Sequence, residues 1–286
     1  MTHHHAPIPH NTILTAVTNA LNEDLGLTGD ITTTATIPET ARMTASIAAR
    51  QAGVVSGLEV ANVTFASVHG GIRLTKDKHD GDAIQSGDTI ATVSGPARSV
   101  LTAERVALNF MGRMSGIATM TKAYVDAVAG TNATIVDTRK TSPGLRPFEK
   151  YAVKCGGGGN HRFGLFDAVL IKDNHIAGCG GINEALQAAQ KHAGHLVKIE
   201  IEVDTLDQLK TVDFEIADCV LLDNMTPDQL REAVAFIAGR ALAEASGGVT
   251  LDTVRSIAET GVDLISVGAL THSAPVLDLG LDYKGT

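Results

Sequence analysis

KIEIEVDTLDQLKTVDFEIADCVLLDN, residues 198–224, is the stretch that decides the fold. It begins with a strand pattern over 198–203, continues with helix-spaced apolar residues over 205–213 and ends in a second apolar strand over 219–222. A helix between two strands indicates parallel pairing, because parallel strands require a long crossover connection. The stretch therefore predicts a βαβ unit and an α/β fold class.

The same alternation of strands and helices extends over the chain from residue 130 onward. Six or seven parallel strands fit either a doubly wound sheet or an α/β barrel, and hydrophobic periodicity does not choose between the two. The predicted strands are 135–136, 168–171, 198–203, 219–222, 241–245 and 264–267, and the predicted helices are 145–155, 182–192, 205–213, 227–238 and 250–260.

The N-terminal part of the chain follows a different pattern. Helix-spaced apolar residues over 11–28 predict one helix. Short alternating runs over 43–50, 53–60 and 89–95, separated by turn residues, predict an antiparallel sheet.

A long helix is predicted to follow this sheet. Thr102 is its expected N-cap, and the helical pattern continues to about residue 129. Gly112 and Gly116 weaken the helix, and their missing side chains favour the close approach of another backbone.

The composition excludes several classes of function. The chain has 286 residues, a formal net charge of −9 and only 3% aromatic residues. Few aromatic residues argue against base-stacking nucleic-acid modules, and the acidic balance argues against a broad surface for phosphate backbones or anionic membranes. No apolar run approaches the roughly 18 residues that a membrane-spanning helix requires. We therefore expect neither a nucleic acid nor a membrane as partner.

The cysteines and the N-terminus indicate a cytoplasmic protein. Cys155, Cys179 and Cys219 are odd in number and widely spaced, so they fit neither a disulfide framework nor a CxxC metal site. The first residues lack the charged and apolar regions of a secretory signal. No cysteine or carboxylate set accompanies the N-terminal histidines, which we interpret as a flexible terminus rather than a metal site: His3, His4, His5 and His10.

Chemically active residues follow the predicted strands, at the sheet edge where parallel α/β folds bind ligands. A protein without a site would place ordinary turn formers there. This chain instead places cations after two strands, carboxylates after two more and small residues after the last two: Arg139 and Lys140, Lys172, Glu202, Asp223, Ser246 with Gly247 and Gly248, and Gly268.

The basic residues concentrate in one segment. Residues 139–172 hold seven Lys and Arg against two acids, whereas the rest of the chain holds 16 basic and 30 acidic residues. A local cationic site in an acidic protein suits a small polyanion, since guanidinium groups bind carboxylate and phosphate bidentately. Lys150 and Lys154 are interpreted differently, as one solvated helix face, because they are spaced i and i+4.

The strand at 198–203 alternates charged and apolar residues, so that Lys198, Glu200 and Glu202 share one face. A central parallel strand is covered on both faces, and buried carboxylates there need a partner. Glu202, with Asp223 one strand further on, is a candidate pair for Mg²⁺ and a diphosphate. The alternative is a network of Lys–Glu ion pairs that fills a barrel.

Glycines supply the remaining candidates. Ser246, Gly247, Gly248 and Gly268 follow the last two strands, where backbone N–H groups and a helix N-terminus commonly bind a phosphate monoester. Four glycines over 156–159 predict a backbone that is mobile or lies close to a ligand, with the next residues, His161 and Arg162, over the site. Cys155 has no identifiable His and acid partners and is interpreted as a packing residue.

Residues 137–175 carry a resemblance. The blocks DTRKT, NHR and LIKDNH occur there in the order and spacing of the quinolinate phosphoribosyltransferases, which belong to the type II phosphoribosyltransferases. LTAER at 101–105, SGG at 246–248 and VGALTHS at 267–273 agree as well. The likeness covers most of the chain and is weakest before residue 30.

The resemblance implies an N-terminal α/β sandwich domain over 1–114, to which a tail over 274–286 returns, and an incomplete, seven-strand-like α/β barrel over 115–273. It implies a homodimer whose active sites are shared between subunits. The implied reaction joins quinolinate to phosphoribosyl pyrophosphate in NAD biosynthesis, with decarboxylation and with Mg²⁺ as cofactor.

The resemblance also implies residue roles. Arg105 resembles an arginine donated across the dimer interface to quinolinate. The residues that resemble the pocket for its two carboxylates are Arg139, His161, Arg162 and Lys172. Lys140 resembles a lysine near the reacting groups. Glu202 and Asp223 resemble the pair that binds the ribose hydroxyls and Mg²⁺ of phosphoribosyl pyrophosphate. The residues that resemble the loops for its 5′-phosphate are Ser246, Gly247, Gly248 and Gly268.

Three other functions fit parts of the pattern. A barrel lyase would use Lys140 or Lys172 as a Schiff-base nucleophile. A phosphoribosyltransferase for nicotinate or another acid would not need so many cations. An anion-binding scaffold would explain neither the Glu202 and Asp223 pair nor the glycine loops.

Overall fold

A computed structural model describes residues 7–285, so that His3, His4 and His5 lie outside the described residues. His10 is exposed and begins the first helix, so the interpretation of this residue as part of a flexible terminus is wrong. The chain divides into two compact units. Unit 1 comprises Met1–Lys122, Thr141–Gly157 and Leu270–Thr286, and unit 2 comprises Ala123–Lys140 and Gly158–Ala269.

Twelve strands and eleven helices are assigned over the described residues. The strands are β1 Arg42–Ala49, β2 Gly53–Val54, β3 Arg73–Lys76, β4 Ala83–Ile84, β5 Thr89–Pro96, β6 Thr134–Val136, β7 Val169–Ile171, β8 Ile199–Val203, β9 Cys219–Asp223, β10 Leu242–Ser246, β11 Leu264–Ser266 and β12 Leu279–Gly285. The helices are α1 His10–Leu25, α2 Ile31–Thr36, α3 Leu58–Val68, α4 Ala97–Ala127, α5 Arg146–Cys155, α6 Asp173–Cys179, α7 Ile182–His192, α8 Leu206–Leu209, α9 Pro227–Ile237, α10 Leu251–Ala258 and α11 Ala269–His272.

Unit 1 is built on an antiparallel sheet with the strand order β12-β1-β5-β3. The sheet and the helices α3 and α4 share one apolar core, in which Ile47, Phe65, Ile90 and Met111 are almost fully buried. Helix α4 begins in this unit and passes residue 114, where the sequence predicted a domain boundary. The segment from Leu270 onward groups with unit 1.

Two sequence predictions in unit 1 are wrong. The run 53–60 is a strand only at Gly53–Val54, because Gly57 turns the chain at φ 101° and Asp80 Oδ1 accepts the Leu58 N–H at 3.1 Å, which begins α3. Thr102 is not an N-cap, since α4 begins five residues earlier, at Ala97. Thr102 Oγ1 donates instead to Asp30 Oδ2 at 3.0 Å.

Two other predictions in unit 1 are confirmed. A Cβ at Gly116 would overlap the carbonyl oxygen of Pro275, so this glycine admits the close backbone approach that its position in α4 suggested. Cys155 is buried and accepts a hydrogen bond from Ser56 Oγ at 3.4 Å. Burial raises the pKa of the Cys155 thiol to about 12, as expected for a packing residue.

Unit 2 contains a parallel sheet with the strand order β6-β11-β10-β9-β8-β7. Gly159 adds a seventh strand position through an isolated parallel bridge to Val136 in β6. Among the described residues, β6 and β7 are not paired, so the sheet is an incomplete barrel. The α/β class and the incomplete barrel are therefore confirmed. The glycine run extends the sheet through Gly159.

A buried ion pair offers a test of stability in unit 1. Arg113 Nη2 donates to Glu149 Oε1 at 2.8 Å, and the Glu149 side chain is only 1% exposed. We expect Glu149→Ala to lower the free energy of unfolding by about 3 kcal/mol, because the guanidinium loses its buried carboxylate partner. Urea unfolding would measure this. The exposed pair of Arg231 and Asp228 is the control, and Asp228→Ala is expected to cost about 0.5 kcal/mol or less. Equal losses would contradict the prediction.

Candidate active site

A cavity of about 560 Å³ opens at the carboxyl ends of the unit 2 strands. All of its lining residues belong to unit 2. The sequence candidates that line it are Arg139, Lys140, His161, Arg162, Lys172, Glu202, Asp223, Ser246, Gly247 and Gly248. Two candidates do not line it, since Arg105 is exposed on α4 in unit 1 and Gly268 follows the end of β11.

The arginines of this cavity have unused hydrogen-bond donors. The Nε atoms of Arg139 and Arg162 are buried and make no hydrogen bond within residues 7–285. Burial, followed by the proximity of Arg139, lowers the pKa of Arg162. Two neighbouring guanidinium groups with vacant donors favour an anionic ligand that accepts several hydrogen bonds.

Lys172 lies close to a carboxylate. Its Nζ is 2.5 Å from Glu202 Oε2, so the ion pair that the sequence suggested as an alternative for Glu202 is present. The Lys172 side chain is 46% exposed and that of Glu202 only 12% exposed. The lysine therefore remains accessible to a ligand while it compensates the charge of a largely buried carboxylate.

Glu202 and Asp223 lie on the neighbouring strands β8 and β9 and face the same cavity. Asp223 Oδ2 accepts a hydrogen bond from Asn224 Nδ2 at 2.6 Å. Two carboxylates at the mouth of a polar cavity fit Mg²⁺, which binds few protein carboxylates and keeps water or phosphate oxygens as its other ligands.

The glycine loop after β10 lies beside Asp223. Ser246 is paired in register with Asp223, and its carbonyl accepts the Asn224 N–H at 2.9 Å. Gly247 and Gly248 follow with φ angles of 93° and 60°, and α10 begins at Leu251. A loop with positive φ angles ahead of a helix exposes backbone N–H groups that suit a phosphate.

Comparison with known proteins decides the family. The family description "Quinolinate phosphoribosyl transferase, N-terminal domain" matches residues 30–115, and the corresponding C-terminal domain matches residues 117–282. The chain belongs to the quinolinate phosphoribosyltransferase family. No helix among residues 7–285 is both long and apolar enough to span a membrane.

Relatives and solved structures agree with this membership. The nicotinate-nucleotide pyrophosphorylase [carboxylating] of Mycobacterium leprae is 48% identical over 271 residues, which cover 93% of this chain and 95% of that protein. A probable nicotinate-nucleotide pyrophosphorylase [carboxylating] of Bacillus subtilis is 44% identical over 260 residues, which cover 91% of this chain and 89% of that protein. The structure of the nicotinate-nucleotide pyrophosphorylase from Francisella tularensis matches with a TM-score of 0.93 and 38% identity, over 97% of this chain and 98% of that one.

Beneath the cations of this quinolinate phosphoribosyltransferase family member lies a buried acidic floor formed by Glu200 and Glu244, of which the sequence indicated only Glu200. His161 Nε2 is 2.9 Å from Glu200 Oε2 and 3.6 Å from Glu244 Oε1. Cys219 Sγ donates to Glu200 Oε1 at 3.5 Å. The missed residue is Glu244, an acid in the middle of the apolar strand β10. It lies two strands from Glu200, as interior residues of alternate barrel strands do.

Lys150 also departs from its prediction. It is 1% exposed, so the interpretation of Lys150 as part of a solvated face is wrong. It belongs to unit 1 with the rest of α5, and it does not line the cavity. The i, i+4 spacing therefore places both lysines on one side of the helix, but it does not indicate whether that side is buried.

The floor predicts a pH effect on stability. Burial, followed by repulsion from Glu200, raises the pKa of Glu244 to about 7. At pH values between the ordinary carboxyl pKa of 4.5 and about 7, Glu244 keeps its proton in the folded state and loses it in the unfolded state. The contribution of Glu244 to the free energy of unfolding therefore decreases as the pH rises through this range. We expect Glu244→Gln to remove this part of the slope in unfolding experiments from pH 4.5 to 8. An unchanged slope would contradict the prediction.

Proposed function

We propose that this chain transfers the phosphoribosyl group of phosphoribosyl pyrophosphate to quinolinate, with decarboxylation. The products are nicotinate mononucleotide, diphosphate and CO₂. One observation carries the proposal: cations with vacant donors, a carboxylate pair and a glycine loop line one cavity at the carboxyl edge of the unit 2 sheet. A dicarboxylate, a diphosphate and a phosphate monoester need those three features.

Quinolinate occupies the cationic side of the cavity in this proposal. Its two carboxylates bind Arg139, Arg162 and Lys172, with His161 beside them. The vacant Nε donors of Arg139 and Arg162 support this role, because a carboxylate would satisfy donors that the protein leaves unmatched. Arg105, supplied by the second subunit of a homodimer, completes the pocket.

Phosphoribosyl pyrophosphate occupies the other side. Glu202 and Asp223 bind its ribose hydroxyls and would hold Mg²⁺, and Lys140 lies near the reacting groups. Its 5′-phosphate binds the loop of Ser246, Gly247 and Gly248, with Gly268 beside it. Mg²⁺, when bound, neutralises charge on the diphosphate leaving group.

The reaction then follows from positioning and electrostatics. The pyridine nitrogen forms a bond to the anomeric carbon while the bond from that carbon to the diphosphate oxygen breaks, and diphosphate leaves with the electron pair. The 2-carboxylate next departs as CO₂. The pyridinium ring stabilises the electron pair left on carbon 2, which takes a proton from solvent. The arginines and Lys172 hold the ring in line, which lowers the entropic part of the barrier.

The cytoplasm is the proposed compartment. Cys155, Cys179 and Cys219 are all free thiols, and Cys179 is exposed. Free exposed thiols persist in a reducing environment.

A substrate comparison tests the proposed function. The purified protein is incubated with phosphoribosyl pyrophosphate and Mg²⁺, together with either quinolinate or nicotinate, and nicotinate mononucleotide and CO₂ are measured. We expect product from quinolinate alone, and only with Mg²⁺. Product from nicotinate alone would overturn the dicarboxylate pocket, and no product from either substrate would overturn the proposal.

The glycine loop offers a more local test. A Cβ at Gly247 would overlap Asn224 Oδ1 and lie 2.6 Å from Asn224 Cγ, and the φ of 93° disfavours any other residue. We expect Gly247→Val to raise KM for phosphoribosyl pyrophosphate about tenfold or more, since the loop must move to admit the side chain. Gly239→Val, at an open turn with a φ of 75°, is the control for backbone strain. Equal KM values in both variants would contradict the phosphate role of the loop.

A further inference from the structure

The orientation of His161 is fixed from both sides of its ring. Its Nδ1 accepts the backbone N–H of Arg162 at 2.7 Å. Its Nε2 faces Glu200 Oε2 at 2.9 Å and Glu244 Oε1 at 3.6 Å. The backbone N–H of His161 donates to Asp137 Oδ1 at 2.9 Å. Both ring nitrogens are thus engaged by protein groups.

These contacts define the tautomer. A ring nitrogen that accepts an N–H carries no proton, so the proton of the neutral imidazole is on Nε2. Nε2 then donates to Glu200 and, at the longer distance, towards Glu244. His161, Glu200 and Glu244 offer three potential metal-ligand atoms within 4.8 Å of one another, but a protonated Nε2 does not ligate a metal.

Glu244 is the less satisfied member of this floor. Its side chain is 1% exposed, and its Oε1 makes no hydrogen bond within residues 7–285. Glu200, by contrast, has both oxygens in contact, with His161 and with Cys219. An unsatisfied buried oxygen is costly unless it serves a neighbour, and His161 Nε2 is the donor towards which it points.

We propose that Glu244 is a positioning residue that, together with Glu200, fixes the His161 ring and through it the backbone of Arg162, and so sets affinity for the pyridine dicarboxylate. The path is short: Glu244 faces His161 Nε2, His161 Nδ1 holds the Arg162 N–H, and Arg162 presents its guanidinium to the cavity. The inference rests on the proposed function of the same site.

Steady-state kinetics of three variants test the inference. Glu244→Leu keeps the volume but removes the oxygen that faces His161 Nε2 at 3.6 Å, and we expect it to raise KM for quinolinate about tenfold or more. Its KM for phosphoribosyl pyrophosphate should stay within about twofold of wild type, since Glu244 acts through His161 on the cationic side of the cavity. Glu244→Gln retains an acceptor oxygen and should restore KM for quinolinate to within about threefold of wild type.

Asp263→Asn is the matched control. Asp263 lies beside β10 at the amino end of the sheet, where its Oδ2 accepts the Ala243 N–H at 2.8 Å. We expect this variant to be less stable but to keep both KM values. Equal increases of both KM values in Glu244→Leu, or a Glu244→Gln variant as impaired as Glu244→Leu, would overturn the inference.

Two measurements on the wild-type protein keep the test independent of variant folding. Nitrogen-15 NMR of the imidazole is expected to show a protonated Nε2 and an unprotonated Nδ1 at His161, and the opposite tautomer would overturn the inference. Elemental analysis after dialysis is expected to find no divalent ion bound at Glu244, and an ion retained by wild type and lost in Glu244→Leu would indicate a metal site instead. Wild type without quinolinate turnover would refute the proposed function, whereas an active wild type and a Glu244→Leu variant with wild-type KM for quinolinate would refute only this inference.

Discussion

Arg162→Ala is expected to lower kcat/KM for quinolinate roughly 100-fold or more, because one substrate carboxylate loses charge-assisted hydrogen bonds from a partly buried guanidinium. Arg162 Nε is buried without a partner, and its Nη1 donates to the Ala168 carbonyl at 3.1 Å. The guanidinium is thereby anchored through Nη1, while its Nε donor is unused. Initial rates at saturating phosphoribosyl pyrophosphate would measure the loss.

Two companion variants sharpen this experiment. Arg162→Lys keeps the charge but not the planar fork, and we expect it to recover only part of the lost activity. Arg231→Ala removes an exposed arginine of α9 that pairs with Asp228, and it should leave kinetics unchanged. Arg162→Ala kinetics within about twofold of wild type would exclude Arg162 from the substrate pocket.

Glu202→Gln is expected to lower kcat roughly 100-fold or more, with a larger Mg²⁺ requirement. The substitution removes a carboxylate from the pair on β8 and β9 and leaves Lys172 Nζ without its anionic partner. Activity titrated against Mg²⁺ would measure the shift.

Glu232→Gln is the control for this variant. Glu232 is exposed on α9 and carries the same charge without lining the cavity. We expect its Mg²⁺ dependence to match that of wild type. A Glu202→Gln enzyme with wild-type kcat and unaltered Mg²⁺ dependence would contradict the role of the carboxylate pair.

The parallel sheet of unit 2 could be predicted well from the sequence. Each of its six strands overlaps a predicted one, because buried parallel strands are apolar runs bounded by polar residues. The site followed from one topological rule, since residues after neighbouring parallel strands share an edge. The rule predicted a shared site for five residues that all line one cavity: Arg139, Lys172, Glu202, Asp223 and Ser246.

Other features depend on tertiary contacts that a single sequence does not display. The run 53–60 fits a strand and a helix equally well over so short a window, and the Asp80 cap that selects the helix is 22 residues away from Leu58. Lys150 is buried although its spacing suits a solvated face. The contact of Glu244 with His161 depends on the sheet, which places β10 two strands from the strand of Glu200.

The position of β12 has a consequence for biosynthesis. This strand ends at the last described residues of the chain, yet it pairs with β1, whose other neighbour is β5. During translation β1 therefore has an open edge until β12 has emerged from the ribosome, because chains emerge from the N-terminus. A product truncated before β12 would keep that edge of β1 exposed, and exposed strand edges favour aggregation.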